Sequence, residues 1–149
     1  MPRNVFDEIL DGSAAVSRVF EDDLVLAFMD IYPFSRGHTL VIPKQRVQHL
    51  RFVEAPARER LFEVGNRIGK ALHASEIPCA DLNFLINDGV VANQHVPHVH
   101  LHVVPRVRGD GRRVFWQMST RFLNPVRRPD RRAFDRDAAM IRAALEAGV

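Results

Sequence analysis

His98, His100 and His102 alternate with Val99, Leu101 and Val103, and the run closes at Pro105-Arg106. A period of two belongs to an extended strand, so the three imidazoles share one face and the three aliphatic side chains the other. The chain must therefore build a sheet with one apolar side and one side that hosts a file of titratable rings. Same-face neighbours on a strand stand roughly 7 Å apart, near enough for three rings to serve one small site. Histidine ionises near neutrality and works as base, acid, nucleophile or metal ligand, so the file marks a candidate site.

The order of elements around this strand sets the architecture. Val5, Phe6, Ile9 and Leu10 have helical spacing, and Gly12 follows as a stop. Residues 16–20 and 24–31 are β-rich runs split by Glu21-Asp22-Asp23, a hairpin pattern. Pro33-Phe34-Ser35-Arg36-Gly37 reads as a loop and residues 38–43 as a third strand, which Pro43 ends or places at an edge. A long helix is predicted over 55–75, with Leu61, Val64, Ile68 and Leu72 as its buried stripe and Glu59, Glu63, Asn66 and Lys70 opposite. After Pro78, residues 81–86 read as a fourth strand, 87–94 as a polar turn and 96–104 as the fifth strand with the histidines. Residues 108–113 contain two glycines and are expected to form a mobile loop. Phe134, Ala138, Ile141 and Leu145 predict a C-terminal amphipathic helix. Three strands, a helix and two strands do not alternate as a parallel sheet requires. The order predicts an α+β fold: a five-stranded antiparallel sheet with the long helix and the C-terminal helix against one face. The histidine side is then expected to be the open, solvated face.

A length of 149 residues fits one domain that can bury a core without metal or disulfide staples. No apolar stretch approaches the ~20 residues of a membrane span. Met1-Pro2-Arg3-Asn4 is followed by Asp7, Glu8 and Asp11, which is no signal-peptide core. The single Cys79 excludes an internal disulfide and a thiolate cluster. A cytoplasmic protein without membrane association is expected. The net charge of +3 is unevenly spread, because Arg106, Arg108, Arg112, Arg113, Arg121, Arg127, Arg128, Arg131, Arg132 and Arg136 crowd one tract. Such a tract can attract phosphates or nucleic acid. The alternative is a solvated surface partnered by Asp110, Asp130, Asp135 and Asp137. Phe115 and Trp116 are adjacent rather than spaced as a base-stacking series, so no specific nucleic-acid partner is expected.

Four readings of the histidine file compete: a metal held by three imidazoles, a nucleophile with two supporting rings, an anion site without chemistry, and a strand face that carries histidines for no purpose. The turn that precedes it, Asn87-Asp88-Gly89-Val90-Val91-Ala92-Asn93-Gln94-His95, is rich in neutral donors. Amides and backbone N–H groups beside Gly89 suit phosphate or acyl oxygens, and hydrolytic metal sites normally bring more acidic groups. These flanks favour covalent chemistry at phosphorus without excluding a metal.

The run from Asn93 to Val104, with histidines separated by single apolar residues, resembles the signature of the histidine triad (HIT) family. Phe20 to Ile31 resembles that family's N-terminal hairpin, and Gly37-His38-Thr39-Leu40-Val41-Ile42-Pro43-Lys44 the strand after it. The resemblance spans residues 5–106, which makes 107–149 an appended Arg-rich loop and C-terminal helix. It implies a nucleotide hydrolase that cleaves an α-phosphate linkage of purine nucleoside phosphoramidates or dinucleoside polyphosphates through a covalent nucleotidyl-histidine. Alternatives are a nucleotidyltransferase or phosphorylase on dinucleoside polyphosphates, and a non-catalytic nucleotide-binding protein. By motif position His100 is the nucleophile, with its second nitrogen on a backbone carbonyl, while His98, His102 and His38 support it. Asn87 and Gln94 match amides that contact the phosphate, and His95 stands where many members carry Ser or Thr near the leaving group. Asp30 matches the position that accepts from ribose hydroxyls, and Val5, Phe6, Ile9, Phe28 and Ile31 the apolar base slot. Many bacterial members hold a structural zinc through an N-terminal Cys-x-x-Cys and a further histidine. Here those positions are Asn4-Val5-Phe6-Asp7 and Arg46, so no structural metal is expected. No cofactor is expected either, although a divalent cation such as Mg²⁺ could accompany a polyphosphate substrate. The resemblance further implies a two-fold homodimer built on the long helix and the fourth strand, with a purine nucleotide as the other partner.

Overall fold

The computed structural model describes residues 2–120 and 130–148, so Arg121, Arg127 and Arg128 of the basic tract lie outside the described residues. A short first helix, α1 (Val5–Leu10), is started by Asn4, whose side chain accepts from the Phe6 N–H at 2.9 Å while Asp7 accepts from the Asn4 N–H at 2.7 Å. This reciprocal cap satisfies two orphan donors of a helix too short to persist alone. Gly12 follows with a positive φ of 81°, which ends the helix where the spacing predicts.

Strands β1 (Arg18–Glu21), β2 (Val25–Met29), β3 (Thr39–Pro43), β4 (Asp81–Leu85) and β5 (Leu101–Arg106) form one sheet in the order β1-β2-β3-β5-β4. Every neighbouring pair is antiparallel, as the α+β reading requires. Val25, Ala27, Met29, Val41, Leu101 and Val103 face α2 (Ala55–Ala74) and the C-terminal helix α4 (Arg131–Glu146). Leu26, Phe28, Leu40 and Ile42 face the other way and are covered by Phe6 and Ile9 of α1. Both faces of β2 and β3 are therefore buried, which explains their unbroken apolar runs.

Here the structure corrects one expectation. The histidine side of the sheet is not open to solvent: His38 and His98 are 0% exposed, His102 2% and His100 6%. Phe6 and Ile9 of α1, with Phe34 over His38 and His102, supply the cover that periodicity alone could not dock.

The fifth strand also begins later than predicted, at Leu101 rather than residue 96. Pro97 has no N–H to give a ladder. The His98 N–H turns back to the Val96 carbonyl at 2.8 Å, and the Val99 N–H bonds to the Val47 carbonyl at 2.9 Å in place of a β3 partner. His98 and His100 thus sit on an irregular lead-in that bends at residues 96–98. The alternation survives, because Val99 still packs in the helix-side core and Phe6 still touches both rings.

The stripe of α2 lands as predicted, with Leu61, Val64, Ile68 and Leu72 all buried. Gly65 and Gly69 lie beside it, and a Cβ on Gly65 would stand 2.5 Å from Leu101 Cδ2. Helix propensity alone favours Gly65→Ala by about 1 kcal/mol. Leu101 is 1% exposed and packed in the helix-side core, so its side chain has little room to shift and overpacking should win. We expect Gly65→Ala to destabilise by about 1–3 kcal/mol in urea unfolding, and any gain in stability would refute this close approach.

Of residues 108–113, only 108–110 form a turn, and 111–113 are helical rather than part of the expected loop. Asp110 accepts from the Val107 N–H at 3.0 Å and from Arg106 Nη2 at 2.6 Å, and a helix, α3 (Gly111–Thr120), begins directly after it. The other acidic residues of the tract are also engaged, though mostly not by its arginines. Asp130 caps α4 at Ala133, Asp135 accepts from Ser17, and Asp137 pairs with Arg36.

Candidate active site

The fold brings all the predicted residues except His38, Gln94 and His98 to the wall of one cleft of about 490 Å³, bounded by α1, the end of β2, the 87–95 turn and the start of β5. Its apolar end is lined by Val5, Phe6, Ile9, Phe28 and Ile31, and its polar end by Asn87, His95, His100 and His102, with Asp30 also in the wall.

Hydrogen bonds fix which nitrogen of each ring carries a proton. A carbonyl can only accept, so the contact of His100 Nδ1 with the His98 carbonyl at 2.8 Å places a proton on Nδ1. The neutral ring then keeps its lone pair on Nε2. His98 is held likewise by Nε2, which donates to the Pro43 carbonyl at 2.8 Å. His38 Nδ1 accepts from the Phe34 N–H at 3.1 Å, so its proton resides on Nε2, and this nitrogen donates to His102 Nδ1 at 2.9 Å. His102 must in turn carry its proton on Nε2. The cleft therefore meets one imidazole with a nucleophilic lone pair and one with an N–H donor, their ring centres 4.8 Å apart. Phe34 stacks on His38 and His102, with centroids at 4.6 and 5.7 Å, and packs against both rings of this relay.

Asp30 is buried and has the partner that a carboxylate there needs. Its Oδ1 accepts from the Tyr32 N–H at 2.8 Å. Asp30, His38 and His102 place ligand atoms within 4.8 Å of one another, a spacing compatible with a metal ion. Both His38 nitrogens are already bonded, so a metal there would have to break the relay.

His98 lies outside the cleft wall and holds His100 through its backbone carbonyl. The expected phosphate contact of Gln94 needs correction: Gln94 is also outside the cleft wall and buried, and its amide donates to the Gln48 carbonyl at 2.7 Å and the His98 carbonyl at 3.3 Å. Its Oε1 accepts from the Gly89 N–H at 3.1 Å, so that N–H is committed within the turn. Gln94 therefore braces both the turn and the carbonyl that orients His100. Asn87 remains in the wall, its amide 3.3 Å from the Asn93 carbonyl.

Sequence reasoning missed Arg131, the first residue of α4, which reaches the cleft and donates to the Ala15 carbonyl at 2.8 Å. Nothing local marks an arginine in a basic tract as facing a site formed over a hundred residues earlier. At the positions where the resemblance places a structural zinc, Arg46 Nε pairs with Asp7 Oδ1 at 2.8 Å. A guanidinium there ties α1 to the segment after β3 and does not suit a metal.

Burial pushes the His98 imidazole below its ordinary 6.5, against the opposing influence of the Pro43 carbonyl and Asp7. The unfolded chain then takes up a proton on this ring that the folded chain refuses, so stability is lost as pH falls below 6.5. Each pH unit below that value should cost up to about 1.4 kcal/mol until the folded ring itself titrates. Urea midpoints across pH 7 to 5 should fall more steeply for the wild type than for His98→Gln, and equal slopes would exclude this origin.

The HIT-domain family model matches residues 12–109. An uncharacterized HIT-like protein of Mycobacterium tuberculosis is 41% identical over 141 residues, 95% of this chain and 92% of its own. Adenylylsulfatase HINT3 of Arabidopsis thaliana is 33% identical over 110 residues, 71% of this chain and 53% of that one. Among solved structures, a zinc-bound histidine triad family protein from Mycobacterium smegmatis superposes with a TM-score of 0.77 at 39% identity, covering 96% of this chain and 93% of its own. The ordered motifs, the sheet that carries them and these matches lead to one assignment, that this chain belongs to the histidine triad family.

Proposed function

We propose that the chain is a nucleotide hydrolase that cleaves the α-phosphate linkage of purine nucleoside phosphoramidates or dinucleoside polyphosphates and releases a nucleoside monophosphate. The observation that carries this reading is the bond from His100 Nδ1 to the His98 carbonyl, which leaves Nε2 as a lone pair in the cleft. In the first step Nε2 attacks the α-phosphorus in line, and the bond to the leaving group breaks with its electron pair. The imidazolium so formed keeps its Nδ1 proton, whose charge the His98 carbonyl stabilises. His102 Nε2–H donates to a non-bridging oxygen as charge builds there, and His95 is placed to protonate the departing group. Water then attacks phosphorus and gives its proton to His95, now the base, as the N–P bond breaks to release the monophosphate and neutral His100. Asn87 faces the phosphate end, Asp30 accepts from ribose hydroxyls, and Val5, Phe6, Ile9, Phe28 and Ile31 receive the base. A divalent cation such as Mg²⁺ would arrive with a polyphosphate substrate. That a relative is named an adenylylsulfatase supports a nucleotidyl substrate.

Members of this family often pair, and we infer a homodimer along α2 and the edge strand β4, where Phe62 and Phe84 stand 47% and 46% exposed. Among the described residues no helix is long and apolar enough to cross a membrane, and a cytoplasmic site of action is part of this proposal.

The test is a panel of adenosine phosphoramidates and dinucleoside polyphosphates, compared as kcat/KM, with rapid quench and intact-mass measurement. A nucleotidyl adduct on the peptide that contains His100 is expected during turnover. Turnover without any adduct, or no turnover on any member, would overturn the reading.

A further inference from the structure

Phe34, whose ring stacks on His38 and His102, also lines a second cleft of about 480 Å³ formed by the 33–37 loop, α3 and α4. Met29 lines both clefts, so Phe34 and Met29 make the partition between them.

The charge of this second cleft is unbalanced. Three arginines, Arg36, Arg113 and Arg136, and one carboxylate, Asp137, line it. Arg36 takes up Asp137 completely, through Nη2 at 2.8 Å and Nε at 3.1 Å to both oxygens, so this pair cancels. Arg113 and Arg136 remain, two positive charges with no ion pair among the described residues. The carboxylate that senses Arg113, Asp110, is already held by Arg106. Residues 121–129, which join α3 to α4, read Arg-Phe-Leu-Asn-Pro-Val-Arg-Arg-Pro and contain no acidic side chain to neutralise them. Pro33, Phe34 and Phe134 give the remaining wall an apolar character.

We propose that this cleft is a second binding site, distinct from the histidine cleft, for a phosphate-bearing anion. Guanidinium forks bind phosphoryl oxygens in charge-assisted pairs, and two of them converging on one concave surface suit a ligand with more than one anionic oxygen. Arg113 and Arg136 of the basic tract thus meet phosphate away from the histidines, and among the described residues of that tract only Arg131 lines the histidine cleft.

Inorganic tripolyphosphate is the probe, titrated into the full chain by calorimetry. Trp116, the only tryptophan, lies on α3 between Arg113 and Gln117 and gives a second readout by fluorescence. Saturable binding is expected, weakened about tenfold for each of Arg113→Gln and Arg136→Gln and more in the double variant. Both residues are exposed, so the variants should fold, and unchanged melting curves verify that. Affinity should fall with added salt and be unaffected by Arg131→Gln or His100→Ala. No saturable binding, or loss in Arg131→Gln rather than in the pair, would overturn the second site. Failure of the histidine chemistry would not, because the probe carries no nucleoside and no turnover is measured.

Discussion

His100→Ala should lower kcat by on the order of 10³-fold or more, because removal of a covalent nucleophile leaves only binding and electrostatic catalysis. The same substitution should change the Kd for a nucleoside monophosphate by no more than about threefold, since binding of the base and ribose relies on other side chains. Val5, Phe6, Ile9, Phe28 and Ile31 line the apolar end of the cleft, and Asp30 is fixed independently by the Tyr32 N–H. The split between kcat and Kd separates this enzyme from a binding protein on the same fold. A scaffold would show neither turnover nor a loss of it, and a metal hydrolase would lose activity to chelators rather than to this substitution. Equal turnover by variant and wild type would remove His100 from the mechanism.

How far the sequence foretells this site depends on the range of the interactions involved. Alternation at residues 98–103 and the 61–64–68–72 stripe are local signals, and both faces land where the period places them. The start of β5 was not legible, because it depends on which backbone lies alongside. Val47, beyond the end of β3, takes the Val99 N–H. Burial of the histidine face was not legible either. It results from Phe6 and Ile9 of a six-residue helix docking on the sheet, and periodicity says that such a helix has an apolar side but not what that side covers. Gln94 illustrates the same limit for a polar residue: a donor beside a histidine motif reads as a phosphate ligand, yet its amide is spent on the Gln48 and His98 carbonyls. The partition of the arginines between two clefts is longer in range still, since α3 and α4 bring Arg113, Arg136 and Arg131 against residues from the first 40 of the chain.

The second large effect is expected at His38, which touches no substrate in the proposed reaction and acts through His102 as a positioning residue. Phe34 N–H, His38 and His102 form a chain in which every proton has one allowed location. The backbone donor fixes the His38 tautomer, His38 fixes that of His102, and the result is an N–H on Nε2 of His102, a residue of the cleft wall. In His38→Leu the chain loses its middle member. The Phe34 N–H loses its acceptor and His102 Nδ1 its donor, and two buried groups left unsatisfied should cost about 2–6 kcal/mol of stability. Free of that constraint, His102 can move its proton to Nδ1 and present a lone pair to a phosphate oxygen, repulsive where the wild type is attractive. Loss of one such donor lowers kcat by on the order of 10²–10³-fold, with a smaller change in KM because the charge on oxygen grows mainly in the transition state. Nitrogen-15 imidazole spectra report the tautomer directly. The wild type should show protons on Nδ1 of His100 and on Nε2 of His102, and the variant should lose the second. A folded His38→Leu protein with wild-type kcat and an unchanged His102 tautomer would show that the relay has no part in catalysis, and that His38 serves only to fill the space beside Phe34.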